Sequence, residues 1–384
     1  MPAPTVAKVP PTGLVRFAQR IQRGISSFAR SMSPPPFALL DLVAARWVSD
    51  ALAAVTRLGV ADAMADGPRP CAEIAAELGL HAESLYRVLR ALARHDLLVE
   101  APAGTFGHTD LTRPLATGHP SSMRNMVMEL GGARNVEVWA RLDAAVRTGA
   151  PSWDLLHEEG MWEHLERHPE EHAIFHGAMV ELTREAAPAY ARGLDFAAHG
   201  TVCDLGGGEG QLLASILAVH PAARGVLCDA PKVLARAPEV LGRFGVEERC
   251  DIVPCDVLAE VPRGHGIYVA KNIVHGLSDE AAKAALSVWR DALAEDGRLV
   301  LIEVVIPEES GPYLAWLDLQ MLLVSQGGRE RTRAAFAELL AAAGLELERV
   351  IETPTPMSMV VARRAKGSAP RASGEVGRAR VLGP

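Results

Sequence analysis

The stretch Thr201-Val-Cys-Asp-Leu-Gly-Gly-Gly-Glu-Gly210 decides the fold of this chain. Its apolar half reads as a strand, with Asp204 just before the turn. Glycines at 206, 208 and 210 then free the backbone for a tight reversal, and Gln211 to Val219 continues as an amphipathic helix. Strand, glycine turn and helix together make the opening unit of a parallel sheet with a ligand site at its rim. The spacing is G-x-G-x-G, not the G-x-G-x-x-G of dinucleotide sites. No G-K-[ST] follows to hold a phosphate, and Glu209 inside the turn would repel a pyrophosphate.

Working outward, strand-like runs recur at 225–229, 251–253, 266–270, 298–306, 345–351 and 357–362. The run 201–205 and the next four alternate with helical or loop stretches, which predicts parallel strands joined by crossovers. The last two are joined too tightly for a crossover helix and should form an antiparallel hairpin. Upstream the texture is helical, so a boundary is expected near residue 195.

Ligands of open parallel sheets lie beyond the carboxyl ends of the strands. Those ends carry acids here: Asp204 on the first, Asp229 on the second and Asp256 after the third. Asp229 stands at the separation from which an acid accepts hydrogen bonds from ribose hydroxyls, and Asp256 suits a purine amino group. Acids without cations favour an adenosine bearing a positive group, and the sulfonium of S-adenosylmethionine meets that description. Asp204 and Glu209 would help to attract it.

The 384 residues are 49% hydrophobic and 22% charged, which is globular composition with length for more than one domain. A net charge of -8 gives no general drive toward nucleic acid, and no run reaches the roughly 20 apolar residues of a membrane span. The cysteines at 71, 203, 228, 250 and 255 form no C-x-x-C pair. Cys203, Cys228 and Cys255 fall in or at the ends of strand-like runs and are expected as reduced core thiols, which suits a disulfide-free cytoplasmic protein.

Residues 1–36 form a basic arm without an acid, in which Leu14, Phe17, Ile21, Ile25, Phe28 and Met32 recur at helical spacing. Such a helix could serve targeting or a membrane surface, but packing on its own protein or on a partner subunit is the favoured reading. Residues 37–118 read as helices followed by a β wing, with Leu39, Leu42, Val43, Trp47 and Leu52 on one stripe. The winged-helix likeness invites a DNA-binding reading. Seven arginines and no lysine against ten acids over 37–118 oppose it and favour a dimerisation module. Residues 119–194 read as a helical, substrate-lining region, 195–363 as the ligand-binding domain and 364–384 as a disordered tail.

Three motifs in order carry a resemblance: Asp204-Leu-Gly-Gly-Gly-Glu-Gly210, Lys271-Asn-Ile-Val-His275 and Gly327-Gly-Arg-Glu-Arg-Thr332. From about residue 40 to 362 the chain resembles the class I S-adenosylmethionine-dependent O-methyltransferases of plant phenolic and bacterial natural-product metabolism. The resemblance implies an α/β fold with a Rossmann-like seven-stranded sheet, preceded by a mostly helical winged-helix dimerisation domain. It implies a homodimer, no metal, and methyl transfer to a hydroxyl of a small aromatic or polyketide-like acceptor. It makes His275 the general base, with Glu303 and Glu330 flanking it to fix its tautomer and stabilise the imidazolium. Cofactor binding would fall to Asp204, Gly206, Gly208, Gly210, Asp229, Asp256 and Lys271. Trp162, Phe175, His176, Met179, Met321 and Ser325 fall in segments that line the acceptor in related proteins.

One position departs from the family. The family usually carries Asp and then an aromatic residue after the histidine, where this chain has Gly276 and Leu277. A glycine there is expected to loosen the backbone beside the base. Related chains also perform hydroxylation or pericyclic chemistry, so the departure leaves a non-methylating cofactor-binding enzyme as the alternative.

Overall fold

The computed structural model describes residues 6–7, 9–306 and 312–366, and of 312 and 313 the backbone alone. Nearly all of the expected tail therefore lies outside the described residues. The chain divides into two units, one of Met1–Arg16, Arg141–His164 and Ala186–Pro384, the other of Phe17–Ala140 and Leu165–Glu185.

Helix α1 (Thr12–Ser31) is followed by α2 (Pro35–Arg57). Prolines at the first two positions of α2 lack only N–H groups that a helix start leaves unpaired, and they force the break between the helices. Of the expected stripe on α2, Leu39, Leu42, Val43 and Trp47 are exposed, Trp47 to 70%, while Leu52 packs against the core and Ala53, Val55 and Thr56 turn inward. Helices Cys71–Leu78 and Ala82–Arg94 follow, separated by Gly79 in the left-handed region. Leu85, Leu89 and Leu92 are buried with Ile74 and Phe106, beneath a hairpin of Leu98–Ala101 and Thr105–His108. In the long helix Pro169–Gly193, the buried Glu181 accepts hydrogen bonds from Ser122, Asn125 and Met126, and so holds the first turn of helix Arg124–Leu130.

The other unit is built on seven strands: β1 (Thr201–Leu205), β2 (Arg224–Asp229), β3 (Cys250–Pro254), β4 (Ile267–Lys271), β5 (Arg298–Glu303), β6 (Leu345–Glu352) and β7 (Ser358–Arg364). Their order across the sheet is β6-β7-β5-β4-β1-β2-β3. The first five are parallel, and β6 and β7 form the expected antiparallel hairpin. Alternation along the strands divides the core between two faces. Val202, Leu227, Val269, Val300 and Ile302 bury one face, and Cys203, Cys228, Ala270, Leu299 and Leu301 the other.

Two expectations need correction. The run 298–306 is not one strand: β5 stops at Glu303, and Val305–Ile306 pairs in parallel with Arg331–Thr332 in a separate two-stranded sheet. That crossing brings the segment around Glu330 to the end of β5. The cysteines are also not all reduced, because Cys228 and Cys255 form a disulfide with a Cα–Cα distance of 5.8 Å. Their separation of 27 residues hid the pair in the sequence. Parallel pairing of β2 with β3 puts Cys228 opposite Val253, and the Cys255 N–H donates to Asp229 O at 3.0 Å.

Candidate active site

β1 and β4 are neighbours from which the connections run in opposite directions, so the crevice beyond their ends is where the topology opens for a ligand. Gly206, Gly208 and Gly210 there have φ of 62, 63 and 87°, conformations that side-chain-bearing residues avoid. The Gly206 N–H donates to Cys228 O and the Gly208 N–H to the Asp229 carboxylate, both at 2.8 Å. A Cβ on Gly208 would meet nothing within 4 Å, so the middle of the turn is bare on its outer side.

Asp204 is buried, and among the described residues nothing donates to its Oδ2. Burial first, then the charge of Asp229, pushes its pKa up to about 7 against the pull of Lys271. Lys271, at the end of β4, is itself pushed down to about 8 by burial, partly offset by Glu303 and Asp204. This ammonium therefore links the acid of the glycine turn to the acid of β5. Glu209, expected to face a cationic ligand, pairs with Arg236 at 3.3 Å. Asp229 also accepts from the Ala230 N–H at 2.7 Å, and the exposed Asp256 caps its own loop through the Leu258 N–H at 2.9 Å.

The second cluster lies at the ends of β4 and β5. His275 sits in a single 3-10 turn, Val274–Gly276, four residues past Lys271. Its Nδ1 lies 2.9 Å from Glu330 Oε1, and a ring nitrogen and one oxygen of each glutamate fall within 4.8 Å of one another. Glu330 donates its own N–H to Asp318 at 2.8 Å. Glu303, 0% exposed, accepts the N–H groups of Ile273 and Val274 at 3.0 and 2.8 Å. Glu303 thus acts on the histidine through charge and through its backbone, while Glu330 touches the ring. Burial lowers the pKa of His275, but the Glu303 charge and the Glu330 hydrogen bond outweigh it and raise the pKa above its ordinary value. An ionised Glu330 requires Nδ1 to carry the proton, which leaves Nε2 free to accept one.

Gly276 does not loosen this turn. Its φ lies outside the left-handed region, and every carbonyl from 274 to 277 accepts a hydrogen bond from the segment 325–331. The donors include Arg331, Ser325 and the Arg329 N–H. Arg331 and Asp279 escaped sequence reasoning although the motif 327–332 was recognised, because only its glutamate has evident chemistry.

The remaining candidates stand on three helices. Phe175, His176 and Met179 share the helix Pro169–Gly193, with the rings of His172 and His176 6.3 Å apart. Trp162 is 56% exposed on the helix Met161–Arg167. Met321 lies in the helix Pro312–Val324, and its carbonyl accepts the Ser325 N–H at 3.0 Å.

Comparison with known proteins gives this geometry a family. A profile described as an O-methyltransferase domain matches residues 139–346, and one described as an O-methyltransferase dimerisation domain matches residues 40–118. The chain belongs to this O-methyltransferase family. Phenazine O-methyltransferase PhzM of Lysobacter antibioticus is 36% identical to it over 326 residues, 85% of this chain and 95% of that protein. Phenazine-1-carboxylate N-methyltransferase of Pseudomonas aeruginosa is 32% identical over 328 residues, 85% of this chain and 97% of that protein. The solved structure of NcsB1, an O-methyltransferase from neocarzinostatin biosynthesis in complex with S-adenosylmethionine and 2-hydroxy-5-methyl naphthoic acid, has a TM-score of 0.71. It is 30% identical and covers 82% of this chain and 95% of that one. As an O-methyltransferase family member, the protein has the class I methyltransferase sheet and a helical dimerisation region. It is an S-adenosylmethionine-dependent methyltransferase of natural-product biosynthesis. Among the described residues no helix is long and apolar enough to cross a membrane.

Proposed function

We propose that the enzyme methylates a hydroxyl group of a small aromatic or polyketide-like acceptor, with His275 as the general base. The contact of His275 with Glu330 at 2.9 Å carries this reading. A hydroxyl must lose its proton as it is methylated, whereas a neutral amine attacks through its lone pair and needs no base beforehand. A partly buried imidazole oriented by carboxylates is what the first reaction requires.

The residues fit the cofactor. The bare glycine turn admits a close approach, and Asp204 Oδ2, which has no hydrogen-bond partner among the described residues, suits a cationic or hydrogen-bonding group. In this reading Asp204, Gly206, Gly208 and Gly210 line the site, with Lys271 beside Asp204. Asp229 holds the ribose and Asp256 the purine amino group. The cofactor supplies an electrophilic methyl group on a sulfonium. His275 takes the acceptor proton at Nε2, and Glu303 and Glu330 stabilise the imidazolium that results. A phenol of pKa about 10 facing an imidazole of about 6.5 leaves prior deprotonation roughly 5 kcal/mol uphill. The raised pKa of His275 narrows that gap, and proton removal in concert with transfer avoids the rest. The acceptor-lining roles given to Trp162, Phe175, His176, Met179 and Met321 belong to the same proposal and rest on the resemblance.

The test is incubation with methyl-labelled cofactor and a panel of hydroxyphenazines, hydroxynaphthoates and aminohydroxybenzoates, with EDTA present. Methyl ethers are the expected products. Amine methylation alone would overturn the hydroxyl assignment. Loss of activity in EDTA, restored by a divalent ion, would recast the trio of His275, Glu303 and Glu330 as a metal centre. The held turn at 274–277 weighs against the non-methylating alternative.

Asp204 makes cofactor binding sensitive to pH. With its pKa near 7, it is neutral in mild acid and charged above neutrality. Calorimetry at pH 6 and pH 8 should therefore show S-adenosylmethionine losing more affinity in acid than S-adenosylhomocysteine, which lacks the sulfonium charge. Equal losses would mean that Asp204 does not sense that charge.

A homodimer completes the proposal. No residue of α1 is buried, and Phe28 on it and Trp47 on α2 are 66% and 70% exposed. A row of large apolar side chains in water is a stable arrangement only when something covers it, and a second copy continues the dimerisation region. Sedimentation should give a dimer for the full chain and a weaker, concentration-dependent one after deletion of residues 1–33.

A further inference from the structure

We propose that Arg331 and Ser325 are the positioning residues for His275, holding the turn 274–277 by its carbonyl oxygens and so fixing where the imidazole points. The inference rests on the reading of His275 as the base. Arg331 is 2% exposed, and a guanidinium is buried at acceptable cost only among a matched set of acceptors. Its Nη1 donates to Val274 O at 2.8 Å and its Nη2 to Leu277 O at 2.9 Å, so one planar group grips the turn on either side of His275. Asp279 fixes the plane of that group by accepting from Nη2 at 2.9 Å and from Nε at 3.3 Å.

The two carbonyls between are also held. The Arg329 N–H donates to His275 O at 2.8 Å, and Ser325 Oγ donates to Gly276 O at 2.5 Å. A Cβ on Gly328 would stand 2.7 Å from Ser325 Oγ and 3.0 Å from His275 O, so only glycine lets the segment come this close. Opposite, Glu303 accepts the N–H groups that enter the turn. Donors at one side and an acceptor at the other leave the backbone around His275 a single arrangement.

The same segment supplies Glu330 to the ring. Residues 325–331 therefore hold His275 by both its main chain and its Nδ1. This clamp makes an acid at position 276 dispensable for orientation. Ser325, expected among the acceptor-lining residues, donates its hydroxyl proton to the turn.

The experiment follows the His275 ring by NMR in histidine-labelled full-length protein, with its resonance assigned by its loss in His275→Asn. Binding of S-adenosylhomocysteine is measured by calorimetry, and kcat and KM with a hydroxynaphthoate acceptor. Arg331→Lys and Ser325→Ala should each bind S-adenosylhomocysteine within about twofold of wild type. Their kcat should fall about tenfold and about threefold, with acceptor KM unchanged, since misorientation of a reacting group costs rate rather than binding. The His275 titration should move down toward that of free imidazole as Nδ1 leaves Glu330. A folded Arg331→Lys protein with wild-type kcat and titration overturns the proposal, as does a kcat loss matched by lost cofactor affinity. Should Arg331→Lys not fold, Ser325→Ala decides, and an effect confined to acceptor KM returns Ser325 to the acceptor and overturns its positioning role. His275→Ala is measured alongside. Full activity of that variant removes the base reading, while the titration shifts still judge the clamp.

Discussion

His275→Ala should bind S-adenosylhomocysteine as wild type does and lose between about 10²- and 10⁴-fold in turnover, the range typical of a removed general base. The acids assigned to the cofactor stand on β1, on β2 and after β3, and His275 is not among the residues assigned to it, so binding and chemistry should separate in this variant. Wild-type kcat/KM should rise with pH as His275 gives up its proton, because the protonated ring accepts nothing. Glu303 and Glu330 hold that pKa above its ordinary value, so the acid limb should lie above the roughly 6.5 of free imidazole. The limb should vanish in His275→Ala. Near-wild-type turnover in a variant that binds cofactor would end the base assignment.

Asp229→Ala should weaken S-adenosylhomocysteine binding about 100-fold, read by calorimetry. The carboxylate already accepts the Gly208 and Ala230 N–H groups, and the ribose hydroxyls are the donors that the proposed role assigns to it. Bonds to a charged acceptor contribute about 1.5–3 kcal/mol each, so the loss of two such bonds corresponds to roughly 3 kcal/mol or more. The glycine turn also loses an anchor, which adds to the effect. Asp256→Ala should cost only a few-fold, since that carboxylate is exposed and water replaces its contacts. Equal effects at the two positions would contradict the division of roles between them.

The parts of this molecule written in local pattern could be read directly. The strand ends at Asp204 and Asp229, the glycine spacing and the closing hairpin all follow from periodicity and turn chemistry over a few residues. What could not be read depends on register between distant segments. Cys228 meets Cys255 because β2 and β3 pair in parallel at one offset. Glu330 and Arg331 reach His275 because Arg331 pairs with Val305 just past the end of β5. The motif 327–332 announced that the segment matters, but its arginine has no chemistry until its acceptors are known. The stripe on α2 was legible only in part, since periodicity says that apolar residues share a face without saying what covers it.

The place of β7 in the sheet has a consequence for synthesis. This strand, which ends at Arg364, lies between β6 and β5 and not at an edge. On the ribosome, the apolar run of β5 has no partner on one side until the helices and β6 that follow it, and then β7, have emerged. The sheet can close only after residues 358–364 are made, and until then an open strand edge is a template for association with other chains. A chain cut short between residues 303 and 358 would keep its glycine turn and its histidine, yet remain permanently in that exposed state.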